Sequence, residues 1–301
     1  MADVIAPDKI AAIRGQLLRN EPLNRYTSWR TGGPADYIYI PADLDDLSLF
    51  MKSLPTETPV TWLGLGSNTL IRDGGVEGVV VVTQGALSDM TQTAPDVIRA
   101  ESGVSAAQLA RHSARLGAAG LEFMAGIPGT VGGALAMNAG CFGGETWRFV
   151  KSVETINRAG EIKIRPVTDF QVSYRHVVKP GEEWFVAGHF ILQPGDKELS
   201  LNQIRELLER RNQTQPTGTA NCGSVFRNPP GNFAGRLIEE CGLKGKRLGG
   251  AHVSPKHANF IINESGATSS DIENLIAEVR KTVEEMTGIQ LIPEICIIGR
   301  D

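Results

Sequence analysis

A chain of 301 residues, 41% apolar and 21% charged, has the length for two or three domains and the balance of a globular protein. A net charge of −4 leaves no basic excess for holding nucleic acid, no apolar run reaches the roughly 20 residues of a bilayer crossing, and the start MADVIAPDKI lacks the pattern of a secretion signal. Four scattered cysteines (Cys141, Cys222, Cys241, Cys296) without a C-x-x-C pair argue against zinc or a disulfide framework and fit a reducing cytoplasm.

Short β-branched runs alternate with helical patterns. Turn-bounded runs predict strands at residues 37–40, 60–65, 79–83, 97–101, 153–157, 162–165, 184–192, 259–263 and 295–298. A weak amphipathic pattern predicts a helix over residues 44–54. Ser105-Ala-Ala-Gln108 has capping-box spacing and opens a helix that Gly117 stops. Arg158-Ala159-Gly160 reads as a hairpin turn. A domain boundary is expected near Gln193-Pro194-Gly195-Asp196. Ser200-Leu-Asn-Gln203 is read as the next helix start, with Ile204, Leu207 and Leu208 on one face. Ser270-Asp-Ile-Glu273 is read as another, with Ile272, Leu275, Ile276, Val279 and Val283 as its stripe and Gly288 as its stop. A strand-rich part followed by two strong helices predicts an α+β fold, not a regular βαβ array.

Residues 120–145, GLEFMAGIPGTVGGALAMNAGCFGGE, form the most informative stretch. Too few side chains are available there for an ordinary amphipathic helix, and glycine inside a helix costs about 1 kcal/mol relative to alanine. Repeated glycine points to backbone lying close to something, either other backbone or a large flat ligand. GLGSNTL at residues 64–70 follows a strand and has the makeup of an anion cradle. It lacks the third glycine of a dinucleotide fingerprint and the Gly-Lys-Ser/Thr of a P-loop. Alone it reads equally as a structural turn; beside the 120–145 tract, phosphate binding is the better reading. Thr31-Gly32-Gly33-Pro34-Ala35 precedes a strand and has the same character.

Among polar candidates, Ser224 lies in Asn221-Cys-Gly-Ser-Val-Phe-Arg-Asn228 and is either a packed hydroxyl or a proton donor; no nucleophile elbow surrounds it. Glu294 interrupts the apolar run 291–298, so it either faces outward from a half-exposed strand or is paired, protonated or functional. Arg175, in Ser173-Tyr-Arg-His176, reads from the residues alone as a surface ion pair. His252 and His257 lack metal-ligand spacing, and His257 is read as structural.

Seven segments in order, NRYTSWRTGGPAD (24–36), GLGSNTL (64–70), the 120–145 tract, SYR (173–175), GSVFRNP (223–229), LKGKRLGGAHVSPKHANFIIN (243–263) and PEICIIG (293–299), resemble the UDP-N-acetylenolpyruvoylglucosamine reductase (MurB) family. The resemblance spans nearly the whole chain. It implies an FAD-binding region of the vanillyl-alcohol-oxidase (PCMH) type in two lobes, residues 1–55 and 56–195, with residues 291–301 returning to the first. Residues 200–290 would form an α+β substrate-binding domain. Residues 185–198 run directly from strand to helix without the Tyr-bearing insertion of one branch, which implies the shorter type. The implied enzyme is a cytoplasmic monomer holding FAD tightly and non-covalently, independent of metal, membrane and nucleic acid. It uses NADPH to reduce UDP-N-acetylglucosamine enolpyruvate to UDP-N-acetylmuramate for peptidoglycan synthesis.

By the same resemblance, FAD lies along Arg30, Thr31, Gly32 and Gly33, along Gly64, Gly66, Ser67, Asn68, Thr69 and Leu70, and along Gly126, Ile127, Pro128, Gly129, Thr130, Gly132, Gly133, Ala134, Asn138 and Gly140. Substrate contacts fall on Tyr174, Arg227, Asn228 and Lys246. Hydride reaches the enolpyruvyl methylene by way of flavin N5; Ser224 protonates the carboxylate-bearing carbon, with Arg175 and Glu294 orienting or stabilising the enolate. Serine is a poor acid unless its alkoxide is stabilised, and a permanently charged arginine suits that need. A carboxylate beside a developing enolate repels it, so Glu294 is expected to be neutral or hydrogen-bonded. Arg227 stands where lysine is frequent, and Val177 where serine is frequent after SYR. Two alternatives stay open. Another FAD oxidase of this fold would lack the ordered trio Arg175, Ser224 and Glu294, and a flavin-binding module without catalysis would have no reason to keep it.

Overall fold

The computed structural model describes residues 13–301. These form two compact units. The first comprises residues up to Arg19, Tyr37–Leu65 and Gly78–Glu209; the second comprises Asn20–Asp36, Gly66–Glu77 and Arg210–Asp301. This division differs from the expected lobes. The turn expected as a boundary is internal to the first unit, because Gln193–Pro194 pairs as a short strand with Ala118–Ala119. Strand Cys296–Ile298 pairs in parallel with Thr69–Ile71, inside the second unit. Residues 1–12 of the expected first lobe lie outside the described residues.

The first unit centres on a five-stranded antiparallel sheet. Its order is Ile162–Pro166, Val150–Asn157, Glu183–Ile191, Val97–Glu101, Met90–Ala94. The expected hairpin turn is present, with Gly160 at φ 71°, where a side chain is strained. A second sheet, ordered Gln16–Pro22, Pro34–Ile40, Val76–Val82, Val60–Leu63, packs helix α1 (Leu44–Ser53) around Tyr39, Phe50, Val79 and Val81. Helix α2 (Ala106–Arg115) has the expected Ser105/Gln108 capping box. The glycine tract does contain a helix, the six-residue α3 (Val131–Ala136), capped by Thr130 and burying Val131, Ala134 and Leu135. Helix α4 (Lys197–Thr214) starts before Ser200: Asp196 Oδ1 accepts from Leu199 N at 2.9 Å. Ser200 is instead buried and donates to Glu122 Oε1 at 2.6 Å, supplying a partner that a buried carboxylate requires.

In the second unit, helices α5 (Ala234–Glu240) and α6 (Ser269–Thr287) share a core with a three-stranded antiparallel sheet, Arg247–Leu248, Ala251–Val253, Ile261–Asn263. Leu237, Ile238, Val253, Ile261, Leu275 and Val279 form its centre. The α6 start also differs from expectation: the capping box is Thr268 with Asp271, not Ser270 with Glu273. Ser269 and Ser270 donate their backbone N–H groups to Asp73, each at 2.9 Å, so a carboxylate from another segment holds this helix end. Gly288, at φ 70°, stops α6 as expected.

Candidate active site

In the second unit the Ser224 segment runs beside the Glu294 segment. Glu294 N donates to Val225 O at 2.8 Å, Arg227 N donates to Ile292 O at 2.9 Å, and Phe226 faces Pro293. Asn68 ties in the 64–70 loop: its Nδ2 donates to Glu294 O at 3.1 Å, and its carbonyl accepts from Cys296 N at 2.9 Å. Three distant parts of the sequence therefore meet around Ser224. Asn259 fixes the segment by bracketing Phe226, accepting from its N–H at 2.9 Å and donating to its carbonyl at 2.8 Å. Ser224 and Glu294 are both half-buried.

A cavity of about 590 Å³ opens beside Ser224, its wall including Asn228, Phe233, Arg236, Lys256 and His257. Asn228 Oδ1 accepts from Ala234 N at 3.1 Å, so this side chain also holds the start of α5. Burial pushes the His257 pKa down, and its Nδ1 accepts from Asn259 N at 3.3 Å, which places the proton of the neutral ring on Nε2. Lys246 is not on this wall; its Nζ is paired with Glu278 Oε1 at 2.7 Å. Arg227 is half-buried.

The glycines of the 31–33 and 64–70 loops meet neighbouring protein atoms. A Cβ on Gly33 would overlap Asp73 O, one on Gly66 would overlap Tyr26 O, and one on Gly32 would come within 2.9 Å of Ile71 Cβ. Thr31 is buried with its hydroxyl 3.4 Å from that of Ser269. Arg30 itself is left-handed at φ 57°. Ser67 is half-buried, while Thr69 and Leu70 lie in the strand Thr69–Ile71, Leu70 in the core. Cys222 is buried, and burial raises its thiol to about 12, as suits a small packed side chain.

In the first unit Gly64 and most glycines of the tract read similarly; Gly133 and Gly143 are the exceptions, and a Cβ on Gly143 would meet nothing within 4 Å. A Cβ would meet Thr130 Oγ1 from Gly64, Gly144 O from Gly140, Phe142 at 2.6 Å from Gly126 and Ser102 Cβ at 2.8 Å from Gly132. Gly133 is exposed, and its Cβ would meet nothing nearer than 3.8 Å. Ile127, Pro128 and Gly129 form the loop into α3, with Gly129 O accepting from Ala106 N at 2.9 Å, and Ala134 is core. Asn138 is buried and donates to Ser173 O at 3.2 Å. Arg175 occupies the turn between strands Gln171–Ser173 and His176–Val178 at φ 55°. Its guanidinium donates to Gly140 O at 2.6 Å and Asn138 O at 3.4 Å and lies 5.2 Å from the ring centre of Tyr174. Three expected site residues, Arg30, Asn138 and Arg175, thus hold a left-handed backbone that side chains disfavour.

A model of the FAD binding domain matches residues 35–164, and one of the UDP-N-acetylenolpyruvoylglucosamine reductase C-terminal domain matches residues 215–298. The UDP-N-acetylenolpyruvoylglucosamine reductase of Legionella pneumophila (strain Corby) is 59% identical over 95% of this chain and 93% of its own. That of Methylococcus capsulatus (strain Bath) is 54% identical over 96% and 95%. The chain belongs to the UDP-N-acetylenolpyruvoylglucosamine reductase family. The crystal structure of that reductase (MurB) from Thermus caldophilus superposes with a TM-score of 0.80 at 31% identity, covering 95% of this chain and 99% of the other. Arthrobacter nicotinovorans 6-hydroxy-D-nicotine oxidase shares the fold at a TM-score of 0.54 and 12% identity, covering 93% and 88%. The expected α+β fold with its FAD-binding region is borne out, and this family member is an FAD-dependent oxidoreductase.

The residues present fit FAD. In the first unit a pocket of about 100 Å³ is lined by Gly132, Gly133, Trp62, Lys179 and Trp184. The Trp62 indole N–H is buried and meets no acceptor among the described residues. Such an orphan donor costs about 1–3 kcal/mol, and an acceptor-rich flat group relieves it. A second groove of about 400 Å³ passes Leu65, Gly85, Gly103, Gly129 and Thr130. Sequence reading missed Trp62 and Lys179, although Trp62 sits two residues before the GLGSNTL loop. It also missed the cavity positions of Arg236, Lys256 and His257, which carry no composition signal. Among the described residues no group of three His, Cys, Asp or Glu is placed to hold a metal, and no helix is long and apolar enough to cross a membrane.

Proposed function

We propose that this enzyme reduces UDP-N-acetylglucosamine enolpyruvate to UDP-N-acetylmuramate, a step of peptidoglycan precursor synthesis, with NADPH as reductant and Ser224 as proton donor. The observation that carries this reading is the pairing of the Ser224 and Glu294 segments, Glu294 N on Val225 O at 2.8 Å, beside a cavity with nucleotide-sized volume. Bound FAD, which the Gly132, Gly133 and Trp62 pocket would hold, would supply the hydride chemistry between NADPH and the methylene carbon of the enolpyruvyl ether. Negative charge then develops on the carboxylate-bearing carbon and spreads into its carboxylate. Ser224 Oγ gives its proton to that carbon. The Arg175 guanidinium, permanently charged, offsets the enolate charge. Glu294 contributes as a neutral or hydrogen-bonded carboxyl that orients the substrate, since an anion there opposes the enolate. Asn228 and Lys256 hold the diphosphate, with Arg227 and Tyr174 on the rest of the substrate; Arg236 joins by leaving Glu240 and Lys246 by leaving Glu278.

Purified enzyme is expected to be yellow. Under anaerobic conditions NADPH should bleach its flavin bands, and the enolpyruvyl substrate should restore them. A flavin that NADPH bleaches and the substrate never restores overturns the proposal.

A further inference from the structure

The Ser224 cavity carries an aromatic ring that the fold does not use. Phe233 precedes α5, whose Ala234, Leu237 and Ile238 are all core, yet Phe233 is 66% exposed and belongs to no apolar cluster. Exposure of one apolar residue is ordinary in itself. The position is not: Phe233 lines the 590 Å³ cavity together with Arg236 and Lys256 on one hand and Glu239 and Glu240 on the other.

The ring is also held on a constrained loop. Gly231 takes φ 73°, Asn232 N donates to Pro229 O at 3.1 Å, and Phe233 N donates to Asn232 Oδ1 at 2.8 Å. Asn228 closes the loop by accepting from Ala234 N at 3.1 Å. An exposed ring on a closed loop loses little conformational freedom when something stacks on it.

We infer that Phe233 is the stacking platform for the uracil base, a specificity-determining residue of the substrate site; this rests on the function proposed above. A uridine diphosphate has three parts with different chemistry. The phosphates need cations: Lys256 and, once it leaves its 2.7 Å pairing with Glu240, Arg236. The ribose hydroxyls need acceptors: Glu240, freed as Arg236 turns to phosphate, and Glu239, which also holds Lys244 Nζ at 2.6 Å. The base has an apolar face, and Phe233 is the one aromatic carbocycle on this wall. Stacking reads the base, the one part of the nucleotide that these charged residues do not address.

The experiment is calorimetric titration of the FAD-loaded enzyme with UDP and with inorganic pyrophosphate, for wild type, Phe233→Leu and Phe233→Tyr. Phe233→Leu keeps apolar bulk without a ring and should weaken UDP about tenfold, within the range of base–aromatic stacking, while leaving pyrophosphate unchanged. Phe233→Tyr should bind UDP as wild type does. The uracil H5 and H6 proton resonances of bound UDP should shift upfield in wild type and not in Phe233→Leu. Unchanged UDP affinity in Phe233→Leu, or equal loss of UDP and pyrophosphate, overturns the inference. If the substrate restores the wild-type flavin bands but Phe233→Leu behaves as wild type, only the stacking role falls. If it does not restore them, the underlying function falls first.

Discussion

The glycine-rich tract of the first unit and the Ser224 cavity of the second offer their chemistry in opposite ways. Along the tract most glycines are required by a neighbouring protein atom, as Gly132 is by Ser102 and Gly126 by Phe142, while Gly133 and Gly143 are open. What faces the pocket is main chain, the open Gly133 and the half-buried Trp62, whose indole N–H is buried. Around Ser224 the offering is side chains: a hydroxyl, an amide, cations and a neutral imidazole, on loops pinned by Asn228 and Asn259. A backbone surface suits a large cofactor that remains bound, whereas chemistry on a small substrate calls for individually placed groups. Mutations in the two regions should therefore fail differently.

The largest expected effect is in the cavity. Ser224→Ala should leave NADPH bleaching of the flavin at the wild-type rate and slow the return of colour with substrate by about 10²–10⁴-fold, the usual contribution of a positioned proton donor. Stopped-flow absorbance on each half-reaction separates the two. Equal slowing of both would remove the distinction between a cofactor region and a protonation region.

A second expectation concerns the sheet behind the tract. Burial works to raise the Glu154 pKa, but hydrogen bonds from Arg99 and His189 outweigh it and hold the carboxyl down at about 2 against an ordinary 4.5. Arg99 Nε lies 2.7 Å and His189 Nε2 2.8 Å from Glu154 Oε1. A depressed folded-state pKa adds stability above the ordinary value, lost as pH falls from 4.5 towards 2. The amount is roughly 2–3 kcal/mol for a shift of this size in a mostly buried group. Thermal denaturation across that window should fall steeply in wild type. Glu154→Gln should be less stable at neutral pH and flatter in acid; an equally steep fall would move the acid-sensitive group elsewhere.

How much of this was legible beforehand follows the same division. Glycine loops announce themselves by composition, and the strand and capping patterns at Ser105–Gln108, Gly160 and Gly288 are local, so the sequence carries them directly. The helix starts at Ser200 and Ser270 misled because the deciding partners are distant: Glu122 takes the Ser200 hydroxyl, and Asp73 takes the N–H groups of Ser269 and Ser270. Composition suggests a ligand along the glycines but leaves other backbone as the alternative, and the contacts that demand most of them are indeed internal; only the resemblance names FAD. Arg175 looked like a surface ion pair, but its guanidinium reaches the Gly140 and Asn138 carbonyls across 35 or more residues, a pairing no local pattern encodes. His257, read as structural, and Phe233, not singled out at all, gained a place at the site only when a cavity gathered them.

Two adjacent glycines give the finest test of the comparison. Gly132 and Gly133 both lie in α3, so propensity favours alanine over glycine at each by up to about 1 kcal/mol. At Gly132 the added methyl stands 2.8 Å from Ser102 Cβ and 3.1 Å from its carbonyl oxygen, so the overlap should outweigh propensity. Gly132→Ala is expected to lose about 1–3 kcal/mol, read as a lower denaturation temperature of the FAD-free protein. At Gly133 the nearest atom is 3.8 Å away, so Gly133→Ala should leave the FAD-free protein as stable as wild type or slightly more so. The same methyl projects from the lining of the 100 Å³ pocket that holds the orphan Trp62 donor. FAD affinity, followed by quenching of flavin fluorescence, should therefore fall several-fold in a protein that has gained stability. A variant that gains stability and keeps its FAD affinity would mean that this open glycine faces solvent only, and the cofactor would then have to lie along the 400 Å³ groove past Gly85 and Gly129.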